Sequence, residues 1–278
     1  MKCWTSLLVV ILSAFLTGQL KGQDLFDISN SLSYADYLFM AGEYRLAAME
    51  YERIVFMDST NLQAKLMLIK SYRMQGEYQK GITRIRSFYG RYSDIPADIA
   101  TETGRLLLHD SQFDEADRLL SLNTGYSETD SLFLLMSNRM LKKDYEAAGL
   151  LLEQNASVRA GFITDYGRIL NLEREFKYKS PALSVLVSAI IPGSGKIYTG
   201  FWKDGIMSFI LIGASAYQSY RGFDKNGISS AYGWVFGSLA AGFYIGNLYG
   251  SGKSANQHNS EFRHKIQQQV EEVFNSYH

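Results

Sequence analysis

Gly193-Ser194-Gly195-Lys196 is the one stretch whose residue types suit holding a phosphate. A glycine loop that cradles a nucleotide needs a glycine five residues before Gly195 and a Ser or Thr directly after the lysine. Ile190 and Ile197 stand at those two positions, and no strand-like run leads into the loop. Nucleotide chemistry is therefore set aside. His109, His258, His264 and His278 are scattered without metal-ligand spacing, and His258 and His264, six apart, fall on different faces of a helix. Asp114-Glu115-Ala116-Asp117 reads as a solvated helix face. Cys3 is the only cysteine, so the rest of the chain has no thiol for a disulfide, a zinc site or a nucleophile. No Ser/His/Asp or Cys/His set stands out, so the expectation is a non-enzymatic protein with no catalytic residue, no metal, no cofactor and no evident small-molecule substrate. Lys and Arg (28) balance Asp and Glu (28), which leaves no global field to draw in nucleic acid.

With no chemistry to position, the elements themselves carry the meaning. Residues 1–22 read as a secretory signal, with Lys2 as a basic start, Leu7–Leu16 as an apolar core and Thr17–Gly22 as a polar exit. That core is short for a membrane crossing. Export to the cell envelope is expected. A mean hydropathy of −0.12 leaves room for one small membrane-embedded module and no more.

From about residue 31 the chain repeats itself. Gly42-Glu43-Tyr44-Arg45-Leu46-Ala47 returns as Gly76-Glu77-Tyr78-Gln79-Lys80-Gly81, and the aromatic-x-x-small pattern returns at Phe113…Ala116 and Tyr145…Ala148. The four aromatics follow one another at 34, 35 and 32 residues. Each unit predicts two antiparallel helices: a glycine turns the chain, an aromatic opens the second helix, and a small residue lets the helices approach. These units resemble tetratricopeptide repeats, clearly in the first two and in degenerate form in the third and fourth. Val158, Phe162, Ile163, Tyr166, Ile169 and Leu170 then form an apolar stripe expected to cap the array, which would cover residues 31–178. The resemblance implies a helical solenoid whose groove takes a peptide or a helix of a protein partner. The family's clamp for C-terminal carboxylates is not expected, because Leu32 and Asp36 stand where it needs a Lys and an Asn.

Residues 180–252 change texture. Ala182–Ile191, Ile206–Tyr217 and Ser229–Tyr249 are apolar runs, and the first is stopped by Pro192-Gly193. Gly233 and Gly237, and then Gly242, Gly246 and Gly250, recur four apart, the spacing that packs helices backbone to backbone in lipid. Gly213-Ala214-Ser215-Ala216 is the expected partner surface. Trp202, Tyr217, Tyr220, Tyr232, Trp234 and Tyr249 lie near the run ends, as interfacial aromatics do. Pro192, Gly193, Gly195, Tyr198 and Gly200, with the apolar hairpin that follows, resemble the Pro-Gly-x-Gly-Gln-x-Tyr signature of small bacterial two-transmembrane-helix domains, uncharacterised in the Bacteroidota. Lys196 replaces the usual Gln. The resemblance implies membrane residence and little chemistry. Two topologies stay open: Ala182–Tyr198 dips in and returns, or it spans and puts Lys203 and the tail on the other side.

Asn259–Phe274 reads as a separate amphipathic helix, within 259–275, that packs on protein. The expected fold is thus all-α: a tetratricopeptide-like solenoid followed by a glycine-rich transmembrane helical hairpin. The expected function is a membrane-anchored scaffold in envelope assembly or membrane-protein biogenesis, with periplasmic repeats, a protein partner in the groove and membrane lipid around the hairpin. The inner membrane is favoured over the outer. The alternative makes the hairpin a small transport, channel or lipid-handling module, with the repeats regulating it.

Overall fold

A computed structural model describes residues 27–123 and 125–277; the leader 1–22, with Cys3, and His278 lie outside the described residues. Those residues are helical, with no strand among them, and the chain divides into two compact units, one ending at Lys142 and the other starting at Lys143.

The first unit is a chain of helices: α1 (Ile28–Met40), α2 (Tyr44–Met57), α3 (Leu62–Met74), α4 (Tyr78–Phe88), α5 (Ala97–His109), α6 (Phe113–Leu122) and α7 (Glu128–Leu141). Consecutive helices pack on one another, and α3, α5 and α7 also pack in series. Two helix starts are capped by side chains, Asn61 accepting from the Ala64 N–H and Ser127 from the Asp130 N–H. The ends of alternate helices, α1, α3, α5 and α7, use a left-handed residue. Gly42 (φ 80°) donates to the Phe39 carbonyl and Glu43 to that of Leu38; Gly76 (φ 76°) and Glu77 repeat the pair onto Arg73 and Tyr72. This double bond closes the helix and reverses the chain. Ser111 (φ 59°) and Gln112 make the same two bonds to Leu108 and Leu107, and Lys143 (φ 64°) takes the same backbone conformation. The degenerate repeats therefore keep the turn without the glycine.

All four small positions are buried: Ala47, Gly81, Ala116 and Ala148. A Cβ on Gly81 would lie 2.8 Å from Leu106 Cδ1, so the small residue is what lets α4 and α5 meet. Tyr44 stands edge-on to Phe39, and Tyr78 stacks on His109 with ring centroids 4.9 Å apart. Large apolar side chains such as Ile54, Leu68, Leu106, Leu119 and Met136 fill the interior. Leu32 and Asp36 are spent on packing: Leu32 lies against the first core cluster, and Asp36 accepts a hydrogen bond from the buried Tyr51 hydroxyl.

The second unit holds α8 (Tyr145–Gln154), α9 (Gly161–Glu175), α10 (Pro181–Ile190), α11 (Ser194–Tyr198), α12 (Trp202–Asn226) and α13 (Ala231–Ser276). The expected capping stripe lies on α9, where Phe162, Ile163, Tyr166, Ile169 and Leu170 are buried. Its partner is the end of α13, whose Ile266, Val270, Val273 and Phe274 are also buried. Tyr277 reaches over to give a hydrogen bond of 2.9 Å to Asp165.

Two expectations are corrected here. The tail is no separate helix: α13 runs unbroken for 46 residues through the third apolar run and the tail. Asn259, the expected start of the tail helix, sits inside that helix and clasps the Lys179 backbone from both sides, at 2.9 Å each. And among the described residues no helix is long and apolar enough to cross a membrane, so the transmembrane hairpin is not observed. The reason lies in composition. The apolar run of α12 is only Ile206–Tyr217, about 18 Å of helix. Residues 231–252 of α13 carry no charge, but Gly, Ser, Tyr and Asn247 dilute their hydropathy.

Candidate functional site

The Pro192 segment forms a hook. Ser180 caps α10 with Pro181 at its first position, and the helix stops where Ile191 turns extended ahead of Pro192. Gly193 then takes φ 87°, and a Cβ there would lie 2.0 Å from the Gly205 carbonyl oxygen. Both conformation and space demand glycine. Its N–H donates to Asn247 Oδ1 at 3.1 Å. The short α11 folds back along α10: a Cβ on Gly195 would strike the Ser184 carbonyl at 1.9 Å, and the Gly195 N–H donates to Ser188 Oγ at 2.9 Å. Gly200 (φ 93°) and Phe201 close α11 by donating to Ile197 and Lys196, the same turn that ends the repeat helices.

At ten residues, α10 is about 15 Å long, and the chain returns along it through α11. Tyr198 faces this hook: its hydroxyl accepts from the Ser180 N–H at 3.4 Å, and Lys179 Nζ lies 4.6 Å from its ring centroid. Lys196, which stands where the resembled signature has Gln, donates to Ser208 Oγ at 2.8 Å.

The sequence-derived glycines separate into groups. Gly233 is buried against α12, where a Cβ on Gly222 would meet the Gly233 backbone at 2.7 Å. Gly237 faces Ser219, and Gly250 faces the Lys196 side chain. Gly242 and Gly246 face open space. The five-residue step from Gly237 to Gly242 turns the helix by about 140°, so one row cannot hold all five. On α12 only Ser215 of the Gly213–Ala216 set is buried; the contact row is Gly205, Ile212, Ser215, Ser219 and Gly222, spaced by threes, fours and seven. That alternation is a coiled-coil seam built from small side chains.

The seam is polar inside. Ser184 Oγ lies 3.0 Å from the Gly195 carbonyl and 2.7 Å from that of Ser251, Ser188 and Ser251 hydroxyls meet at 2.7 Å, and Thr199 and Ser254 at 2.8 Å. Ser219 Oγ donates to the Gly233 carbonyl at 2.8 Å, which ties the hairpin near its tip. The buried Asn247 amide nitrogen finds no acceptor among the described residues. These hydroxyls escaped sequence reasoning; their signal was Ser184/Ser188 and Ser251/Ser254 at helical spacing inside runs that read as merely apolar.

No protein-family model, curated protein or solved structure matches this chain.

The module's exterior is apolar. Leu186, Ile190, Phe209, Ile210, Trp234, Val235, Leu239 and Ile245 are exposed, Ile190 at 81 %. No charged residue occurs in 180–195, 205–220 or 226–252. Trp234, Val235, Ser238, Leu239, Gly242 and Phe243 line an open apolar groove on α13. Apart from the Asn247 amide nitrogen, the seam's hydroxyls are paired within and hydrocarbon is presented outward, an arrangement suited to contact with an apolar medium. Among the described residues no three His, Cys, Asp or Glu come together to hold a metal ion.

Proposed function

We propose that this chain is a non-enzymatic scaffold held at a membrane of the cell envelope by α10–α13, with its repeat helices binding a protein partner in envelope assembly or membrane-protein biogenesis. The observation that carries the reading is the reversed placement of side chains in the hairpin, with Ser, Gly and Asn within and Phe, Ile, Leu and Trp without. Soluble monomers rarely leave so wide an apolar face uncovered. Small residues and hydroxyl bonds are what hold helices together where hydrocarbon surrounds them. The attachment is by an embedded apolar belt about 18 Å tall, flanked by Trp202 and Tyr249 at one end and Tyr217, Tyr220, Tyr232 and Trp234 at the other.

Support for the partner lies in the first unit, where Tyr37 (67 % exposed) and Phe56 (89 %) put aromatic surface in water. Exposed aromatics of this kind are the usual anchors of protein interfaces.

The test is fractionation of cells making the chain with a C-terminal tag. The expected result is a pellet that resists carbonate extraction, with the repeats digested by protease added to intact spheroplasts. Recovery in the soluble fraction would remove the membrane from the reading. Protection of the repeats until the spheroplasts are permeabilised would place them on the cytoplasmic side instead.

A further inference from the structure

The tip of the α12–α13 hairpin contains a polar pocket that the scaffold reading leaves unused. Gln218, Arg221, Gly222, Lys225 and Asn226 from the end of α12, and Tyr232 from the start of α13, enclose about 340 Å³. Residues 218, 221, 222 and 225 fall three and four apart, so one helix face supplies them. Gly222, pressed on Gly233, brings α13 close enough for Tyr232 to form the opposite wall. The Tyr232 hydroxyl donates to Gln218 Oε1 at 3.1 Å, which keeps the amide NH2 as a donor.

Arg221 and Lys225 are exposed and make no ion pair among the described residues, although Asp224 lies between them in sequence. Some guanidinium groups elsewhere, those of Arg73, Arg84, Arg118 and Arg139, reach carboxylates within 2.8 Å. Cations near a helix C-terminus are favoured by its dipole, which accounts for their charge. It does not account for a pocket walled by an amide and a tyrosine. Two unpaired cations beside neutral donors suit a monoanionic phosphate.

The pocket also lies one turn beyond the apolar belt, beside Tyr217, Tyr220 and Trp234, where headgroups would be. We infer that it binds the phosphodiester of an anionic phospholipid headgroup. This rests on the membrane reading above. The shared chemistry is a phosphate, and a free phosphate ester is the other source of it.

The experiment is vesicle flotation of the full chain with phosphatidylcholine alone or mixed with phosphatidylglycerol, at physiological ionic strength. Each cation near an anionic surface contributes about fivefold in partitioning, so the phosphatidylglycerol increment should be on the order of tenfold or more. The double variant Arg221→Gln/Lys225→Gln should lose that increment and keep its partitioning into phosphatidylcholine. Lys253→Gln/Lys265→Gln, which removes equal charge from α13, should keep most of it. Equal losses in the two variants would mean diffuse attraction and overturn the pocket. Partitioning into phosphatidylcholine without any increment overturns this inference alone; failure on both vesicles overturns the membrane reading as well. Phosphorus NMR with glycerol 3-phosphate separates the sources. Line broadening that needs Arg221 and Lys225, in a protein with no lipid increment, would reassign the pocket to a free phosphate ester and overturn the lipid.

Discussion

The helices before Lys142 and the α12–α13 hairpin are opposites in section. In the first, Ile54, Leu68, Leu106 and Leu119 are buried while Asp114, Arg118 and Lys142 face water. In the second, Gly205, Ser215, Ser219, Gly222 and Gly233 are buried while Phe209, Ile210 and Trp234 are exposed. Both are helical, and both use small residues for close approach. They differ in which solvent their packing presumes. Water drives the repeats together through the apolar area removed from it. The hairpin's buried row is mostly Gly and Ser, joined by backbone contact and a hydroxyl bond, interactions that do not depend on water.

The largest break in that comparison comes from adding bulk to the hook. Gly195→Leu would drive a side chain into the Ser184 carbonyl, so it should cost about 3 kcal/mol or more and detach α11 from α10. Gly246→Ala, in open space on α13, should instead be neutral or add up to about 1 kcal/mol of helix stability. Thermal unfolding followed by circular dichroism separates them. Similar midpoints for the two would show that the Gly195 contact does not hold the module together.

Next comes a truncation in the water-facing core. Leu106→Ala removes a fully buried side chain from α5, where it also fills the space above Gly81, and should cost about 2–5 kcal/mol. Phe209→Ser/Ile210→Ser removes comparable bulk from the exposed face of α12 and should leave the unfolding midpoint nearly unchanged while lowering the membrane-bound fraction about tenfold. A collapse of the fold in the serine variant would mean that the outer face is protein-covered rather than lipid-covered.

Much of this contrast was legible beforehand, and what was missed has physical causes. Helix class, the turns at Gly42 and Gly76 and the buried small residues follow from glycine and period alone. The turns at Ser111 and Lys143 do not, because an L-residue can enter the left-handed region at modest cost, and at Ser111 two closing hydrogen bonds hold it there. The seam was misread because glycines four apart look alike from sequence, whereas only Gly233 and Gly237 share the face that meets α12. The unbroken α13 was hidden by Lys253 and Asn259, which look like a boundary; the Asn259 side chain is engaged by Lys179 and does not cap. The polar seam was invisible because serines inside apolar runs reveal their partners only once the hook is folded.

A smaller effect separates the two regions by pH. Burial, and then the Glu52 carboxylate with its 3.0 Å hydrogen bond, push the Tyr72 phenol up to about 12; Tyr51 and Tyr126 are raised in the same direction. A folded value above the unfolded one, about 10, means the contribution is complete below pH ~10 and is lost as pH rises toward ~12. Denaturant midpoints of the wild type should therefore fall across that window, and Tyr72→Phe should flatten the slope. An equally steep fall in the variant would remove Tyr72 as a cause.

The smallest effect tests whether the degenerate repeats pay for their turns. Ser111 holds φ 59° and makes the same pair of closing bonds as Gly42 and Gly76 make with their neighbours. A left-handed L-residue costs roughly 1–2 kcal/mol, part of which glycine gives back through its freer unfolded chain. Ser111→Gly should then stabilise the first unit by up to about 1 kcal/mol, and Gly76→Ser should destabilise it by a similar amount. Equal and opposite shifts in thermal midpoint would show that one turn geometry runs through both the clear and the degenerate repeats. A loss of stability in Ser111→Gly would mean that the serine side chain itself supports the third turn, and that the resemblance between the units ends at the backbone.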